Sequence, residues 1–293
     1  MPRFLVFAVA CLLSAATQFL AEGSPAHAQS ASQEGAGPPQ DRPVVSQCQA
    51  VAEALPGATF ASFLGSAPLP LKAGLVGEDV KITYIGHSTF DIQTPAGISI
   101  ATDYSGWYRP PELPTVVTMN KAHSSHYTLV PDPGIKYVLH GWSDVPGEKA
   151  KIRLMVGDTY IRNVTTDIRA GYGAAEPDGN SIFIFEVAGL CIGHLGHLHY
   201  ELTDSHYTEI GRLDIVMVPV DGGLTMGSDS MSRVIKRLRS ALILPMHQSR
   251  PLRSFLSMFG KDFDIIYADD NSITVSMRSL PKKPTIYVPP GMQ

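Results

Sequence analysis

The chain has 293 residues, 44% hydrophobic and 17% charged, with 23 Lys and Arg against 27 Asp and Glu for a formal charge of −4. That length supports a core without staples, the composition excludes wholesale disorder, and the absence of any basic block excludes an electrostatic footprint for nucleic acid. Gly 26 and Pro 23, about one residue in six, point to many loops rather than a helical bundle, and ten histidines stand out in so weakly charged a sequence.

Residues 1–28 open on Arg3, run through the apolar stretch Phe4–Leu20 and close on Ala26-His27-Ala28. This is the pattern of a secretory signal peptide with an A-x-A cleavage site, so a periplasmic or secreted protein is expected. The run is too short and poorly flanked for a membrane anchor, it continues past Cys11 as a lipoprotein signal would not, and no later segment is apolar enough to span a bilayer. Residues 29–45, polar and rich in Gly and Pro, read as a flexible linker, leaving one domain over 46–293. Export leaves Cys48 and Cys191, which either pair or stay as separate thiols; the reading favours separate thiols, because pairing geometry cannot be taken from sequence.

A short helix is expected over Gln47–Leu55, ended by Pro56-Gly57. From Val80 to Thr102 the runs VKITYIG, FDIQT and GISIAT predict an antiparallel meander. Further strands are expected at 114–119, 135–140, 151–156, 181–187, 190–194, 213–220, 241–245, 264–268 and 272–277. Ser181–Val187 alternates as a half-buried strand, whereas Ile215–Val220 is almost wholly apolar and belongs between two covered faces. Asp229–Ser240 predicts a helix, with Met231, Val234, Ile235 and Leu238 on one face and Ser228 or Asp229 as its cap. With the strands on either side it makes a βαβ unit. The tail from Pro281 is expected to be extended.

Three predicted strand ends each deliver imidazole: His123 and His126 after 114–119, His194, His197 and His199 after the apolar run Leu190–Ile192, and His247 after 241–245. Loops at one sheet edge converge, and imidazole is the commonest protein ligand for zinc and neighbouring metals, so a metal site is the functional expectation. His140 and His206 are assigned no role.

The stretch ITYIGHSTFDIQTPAGISIATDYSG resembles the opening meander of the metallo-β-lactamase-fold hydrolases, in the branch similar to L-ascorbate-6-phosphate lactonases and N-acylphosphatidylethanolamine phospholipase D. GNSIFIFEVAGLCIGHLGHLHYELT resembles that branch's strand pair ending in a Gly-Asp ligand motif, and IVMVPVDGGLTM with ILPMH resembles its last strands and last histidine. The resemblance covers about Val80 to Gln248. It implies an α/β fold, a four-layer αβ/βα sandwich, and a metal-dependent hydrolase. It also implies an altered ligand set. The family's H-x-H-x-D-H aligns with Lys121, His123, Ser125 and His126, so its first histidine is Lys121 and its aspartate Ser125. The bridging aspartate aligns with His197, and the mid-chain histidine is replaced within Thr165–Ile168.

With neither family carboxylate present, His123, His126, His197 and His247 are expected to hold one ion, Zn²⁺ first, with copper or nickel as alternatives. An ammonium about 4 Å from a dication would cost about 8 kcal/mol at an effective dielectric of about 20, so Lys121 must point away, be neutral, or stand in for a second ion as a catalytic group. Asp103 and Asp221 are the nearest carboxylates for orienting imidazoles, and His87 is placed to contact substrate. The expected activity is attack of metal-activated water on an ester, lactone or phosphodiester-like small molecule. The alternative is a non-catalytic exported binding protein for a transition metal or organic ligand. The sequence says nothing of oligomeric state.

Overall fold

A computed structural model describes residues 45–49, 77–170, 174–247 and 252–293. The expected signal peptide and nearly all of the expected linker lie outside them. So does most of the helix expected over Gln47–Leu55, of which the described Gln47–Gln49 form only a bend. No helix among the described residues is long and apolar enough to cross a membrane.

The chain opens with β1 (Val80–Gly86), β2 (Thr89–Gln93) and β3 (Ser99–Ala101), followed by β4 (Val116–Met119) and β5 (Tyr137–His140). β1 to β3 pair antiparallel as expected, whereas β3, β4 and β5 run parallel. With β13 (Ser272–Val275) on β1 they make a mixed six-stranded sheet.

The second sheet begins with β6 (Arg153–Val156), β7 (Thr159–Arg169), β8 (Ala175–Val187) and β9 (Leu190–His194), all antiparallel. Helix α1 (Asp204–Ile210), β10 (Ile215–Pro219), α2 (Ser228–Leu238), β11 (Leu242–Met246) and α3 (Leu252–Ser257) follow. β12 (Asp264–Tyr267) and β14 (Thr285–Val288) complete an eight-stranded sheet in the order β12-β14-β11-β10-β9-β8-β7-β6. β9, β10 and β11 are parallel, so β10, α2 and β11 form the expected βαβ unit. The strand β14 lies in the tail expected to be merely extended.

One core joins the sheets, with Ile82, Phe90, Ile92 and Ile100 from the first packed with Phe183, Phe185, Ile192 and Val216 from the second. Every residue of β10 is buried, as its apolar run requires. β8 departs from its expected half-burial, because Ser181–Val187 lies between β7 and β9 with both faces covered. On α2, Met231, Val234 and Ile235 turn inward, Lys236 and Arg237 sit at the negative end of its dipole, and Gly227 takes the cap position expected for Ser228 or Asp229. Among the described residues, the three α-helices lie in connections between strands of the second sheet. The result is an α/β sandwich of two mixed sheets.

Cys48 and Cys191 form a disulfide with Cα atoms 5.9 Å apart, contrary to the favoured expectation of separate thiols. The bridge fastens the segment at 45–49 to β9. Beside it, Glu186 Oε1 accepts from Arg162 Nε at 2.7 Å and from Ser46 Oγ at 2.5 Å, and Glu186 Oε2 from the Gln47 backbone N–H at 2.8 Å. Arg162 also donates to the carbonyls of Glu209 and Ile210, so a fully buried guanidinium is satisfied on every side.

Candidate metal centre

The histidines and their carboxylates stand at the C-terminal ends of strands. His87 follows β1, Asp103 follows β3 by two residues, and His123 and His126 lie in the loop after β4. His197 comes three residues after β9, Asp221 two after β10, and His247 directly after β11. His87, Asp103 and His247 have φ values of 51°, 40° and 62°, a left-handed conformation uncommon for residues with a side chain. Each such turn follows its strand, and the side chains converge, His87 lying against His247 and Asp103 against His126. The His247 backbone N–H donates to the His87 carbonyl at 2.9 Å, tying the two sheets together at the site.

Five imidazoles meet there. Potential ligand nitrogens of His123, His126 and His197 lie within 4.8 Å of one another, and so do those of His87, His126 and His247. All four histidines expected to bind metal are therefore brought together, His87 joins them, and His126 belongs to both groups. His87 stacks on His247 with centroids 4.4 Å apart and planes 6° from parallel.

His126 and His247 share one arrangement. His126 Nδ1 donates to Asp103 Oδ2 at 2.6 Å, and His247 Nδ1 to Asp221 Oδ2 at 2.8 Å. The carboxylates are fixed in turn: Asn120 Nδ2 donates to Asp103 at 2.8 Å, and the Thr225 backbone N–H and hydroxyl each donate to Asp221 at 2.8 Å. With the proton on Nδ1, each ring presents the Nε2 lone pair, and both Nε2 atoms are buried without a hydrogen-bond partner. Unpaired nitrogen acceptors backed by carboxylates are what a transition-metal ion requires of its imidazole ligands. The donor set fits zinc, copper or nickel and is poor for Mg²⁺ or Ca²⁺.

Burial disfavours the charged form of His87, His123, His126 and His197. It is the largest cause lowering His87 to about 4, helped by the neighbouring His247 and His123. It likewise leads the lowering of His123, His126 and His197. Burial acts in the opposite direction on Asp221, but the hydrogen bonds from His247, Thr225 and Gly223 prevail and hold its carboxyl well below the usual range. Burial raises Asp103, opposed by His194 and Asn120.

Lys121, one of the residues expected to act catalytically, is paired instead with Glu176, an exposed contact on the wall of a cavity of about 720 Å³ whose lining includes none of the histidines. Of the three arrangements open to it, the structure takes the first: the ammonium faces away. His194 is fully buried and structural, with Nε2 donating to the Ser88 carbonyl at 2.9 Å and Nδ1 accepting the Gly196 N–H at 3.1 Å. His140 stacks on Trp142, and His206 closes the capping box of α1.

No sequence signal points to Asn120 or Asn180. Asn120 joins Asp103 to Ser181, and Asn180 Oδ1 accepts the His197 N–H at 2.8 Å. Ser125, legible in the sequence only as a replacement for the family aspartate, has its hydroxyl 2.7 Å from His123 Nδ1 and 2.9 Å from His87 Nε2. His199, in the histidine group after β9 but without an expected role, stands 3.0 Å from His197 Nδ1.

Two mixed sheets around one core, with a histidine centre at their C-terminal strand ends, define the α/β sandwich of the metallo-β-lactamase class. Residues 81–247 match the family described as Beta-lactamase superfamily domain, and the chain belongs to it. A UPF0173 metal-dependent hydrolase of Pyrococcus furiosus is 25% identical over 189 residues, 57% of this chain and 84% of that protein. Another from Anaeromyxobacter dehalogenans is 24% identical over 213 residues, 57% of this chain and 74% of its own length. Among solved structures, a Thermotoga maritima protein assigned as a Zn-dependent hydrolase of the metallo-beta-lactamase superfamily superposes with a TM-score of 0.50 at 27% identity, covering 71% of this chain and 97% of that one. This chain thus stands among the metal-dependent hydrolases of that superfamily.

Proposed function

We propose that the protein is an exported hydrolase using a single transition-metal ion, zinc first among the candidates, on a small ester, lactone or phosphodiester-like substrate. The ion belongs in the cluster of His87, His123, His126, His197 and His247. The observation that carries this reading is the pair of buried, unpartnered Nε2 atoms on His126 and His247, each opposite an Nδ1–H held by a carboxylate.

When bound, such an ion supplies Lewis-acid polarisation of the scissile bond and acidifies water toward neutral pH. The chain's part is preorganisation. Asp103 and Asp221 fix tautomer and ring orientation of His126 and His247, and Asn120 and Thr225 fix the carboxylates, so neither of those two imidazoles has to reorient to act as a ligand. Lys121 is left out of the chemistry, since its charge is engaged by Glu176. The altered ligand set implied by the resemblance, with His197 at the family's bridging position, favours one ion over two, because imidazoles contribute no negative charge to offset a second.

Export is supported by the N-terminal pattern together with the Cys48–Cys191 disulfide, which belongs to an oxidising compartment. The mature chain would then begin after residue 28. Elemental analysis of the purified protein should find near one equivalent of zinc or a neighbouring metal. Turnover of an ester, lactone and bis-p-nitrophenyl phosphate panel should vanish with chelator and return with Zn²⁺. Metal without turnover would instead support an exported metal-binding protein, and absence of metal would end the hydrolase reading.

A further inference from the structure

The two overlapping histidine groups are not equivalent, and hydrogen-bond direction separates them. The Arg169 backbone N–H can only donate, and it donates to His199 Nδ1 at 2.9 Å. The His199 proton therefore sits on Nε2, which also faces the Leu224 carbonyl, an obligate acceptor, at 3.0 Å. That same Nε2–H lies 3.0 Å from His197 Nδ1, so His197 Nδ1 must be a lone pair and the His197 proton must be on Nε2. His197 Nε2–H then donates to His123 Nε2 at 2.9 Å, and His123 Nδ1–H to Ser125 Oγ at 2.7 Å.

A metal ligand needs a free lone pair on the nitrogen that faces the ion. At His197 that nitrogen carries the proton, and its spacing from His123 Nε2 is that of a hydrogen bond. Tetrahedral zinc with Zn–N near 2.0–2.1 Å would set its ligand nitrogens about 3.3 Å apart. His126 and His247 present the opposite case, with the proton on Nδ1 and the Nε2 lone pair unused. His87 completes their group by position: one of its ring nitrogens lies within 4.8 Å of those of His126 and His247, and Ser125 Oγ can either accept from His87 Nε2 or donate to it, so no hydrogen bond forces a proton onto the nitrogen that would face the ion.

We propose that the single ion is held by His87, His126 and His247, and that His199 is a positioning residue that locks His197 as a hydrogen-bond donor to His123, outside the ligand set. This rests on the metal-dependent reading above and revises the ligands expected from sequence, replacing His123 and His197 by His87. His199 and the Arg169 backbone thereby keep the second histidine group from competing for metal.

The test is Co²⁺ titration of chelator-stripped full-length protein, read by visible absorption, with circular dichroism to establish that each variant folds. Wild type should bind about one equivalent. His87→Ala should lose affinity by on the order of 100-fold or more, beyond the ten- to 100-fold cost of losing an outer partner. His197→Ala should stay within about threefold of wild type, against that same scale, whereas His199→Ala should keep that first-site affinity and, with the lock gone, let the second histidine group take up Co²⁺ beyond one equivalent. Should a variant not fold, long-range ¹H–¹⁵N spectra of wild type decide the matter. Metal-free protein should show His197 and His199 protonated on Nε2 and His126 and His247 on Nδ1, and Zn²⁺ should shift nitrogens of His87, His126 and His247 only. Undiminished Co²⁺ binding by His87→Ala, loss of it in His197→Ala, or a Zn²⁺ shift at His197 Nε2 overturns the assignment while leaving a metal hydrolase standing. No Co²⁺ binding by wild type overturns both.

Discussion

Asp103 Oδ2 accepts the Nδ1–H of His126 at 2.6 Å, with both side chains wholly shielded from solvent. The carboxylate does for His126 what a solvent molecule cannot do at this depth: it fixes which nitrogen holds the proton. Replacing it by alanine leaves His126 free to protonate Nε2 and turn away. Asp103→Ala should therefore weaken Zn²⁺ affinity by about ten- to 100-fold, as measured by competition with a chromophoric chelator. Unchanged affinity would show that the carboxylate is structural only.

A second prediction concerns Gly196, at φ +61° in the turn that carries His197. A Cβ there would collide with Asn180 Oδ1 and Asn120 Nδ2, the two amides that hold the His197 backbone and the Asp103 carboxylate. Backbone strain and a steric clash thus act on one residue at the centre of the site. Gly196→Ala should lower stability by about 1–3 kcal/mol in urea unfolding, the range for a residue forced into a sparsely populated conformation, and should lower metal affinity with it. A variant that is both stable and fully metal-competent would contradict the cradle described.

The disulfide closes a loop across a sequence separation of 143 residues. Restricting the unfolded chain over that length is worth about 2–5 kcal/mol. The Cys48→Ser, Cys191→Ser double variant should show a urea midpoint lowered accordingly, and reductant should lower the wild-type midpoint to the same place without affecting the variant. Indifference of the wild type to reductant would mean that the bridge does not constrain the chain in solution.

How far the sequence reaches can be judged residue by residue. The meander, the βαβ unit and the convergence of His123, His126, His197 and His247 follow from hydrophobic period and strand order, which are local signals. β7 does not, because Arg162, Asn163 and Thr165–Asp167 break the apolar alternation. The strand is apolar enough to bury only once Glu186, distant in sequence, neutralises Arg162. The disulfide and the Lys121–Glu176 pair are likewise decided by through-space geometry. At the site the residue types were legible, but the direction of each hydrogen bond was not, and direction is what separates His126 and His247 from His197.

The buried ion pair yields its own test. Arg162 and Glu186 meet at 2.7 Å with side chains 2% and 5% exposed, so neither can turn to water if its partner is lost. Glu186→Ala leaves a guanidinium in the core and removes the acceptor of Ser46, Gln47 and Cys48 as well. Breaking one side of such a pair costs about 3–5 kcal/mol, which urea unfolding should register. A loss below about 1 kcal/mol, the range of exposed pairs, would mean that water reaches Arg162.

The last prediction follows from the neutral histidines. His87 and His199 are held down to about 4 against 6.5 in an open chain, in each case first by burial, and then by the neighbouring His247 and His123 for His87 and by the Arg169 guanidinium for His199. As pH falls through 6.5 the unfolded chain takes up protons that the folded protein refuses until about 4, so stability is complete above that window and lost on descending through it. His123, His126, His194 and His197 are displaced in the same direction and add to the trend. Because His87 and His199 are only partly buried, solvent screening tempers their share. Urea midpoints of metal-free protein should fall steadily from pH 7 to pH 4.5. Saturating Zn²⁺ should raise the midpoint at neutral pH and lose that effect toward acid, because protons and metal compete for the same lone pairs. A midpoint that is flat across this range would show that the imidazoles titrate as in an open chain, and that the site is wetter than its geometry requires.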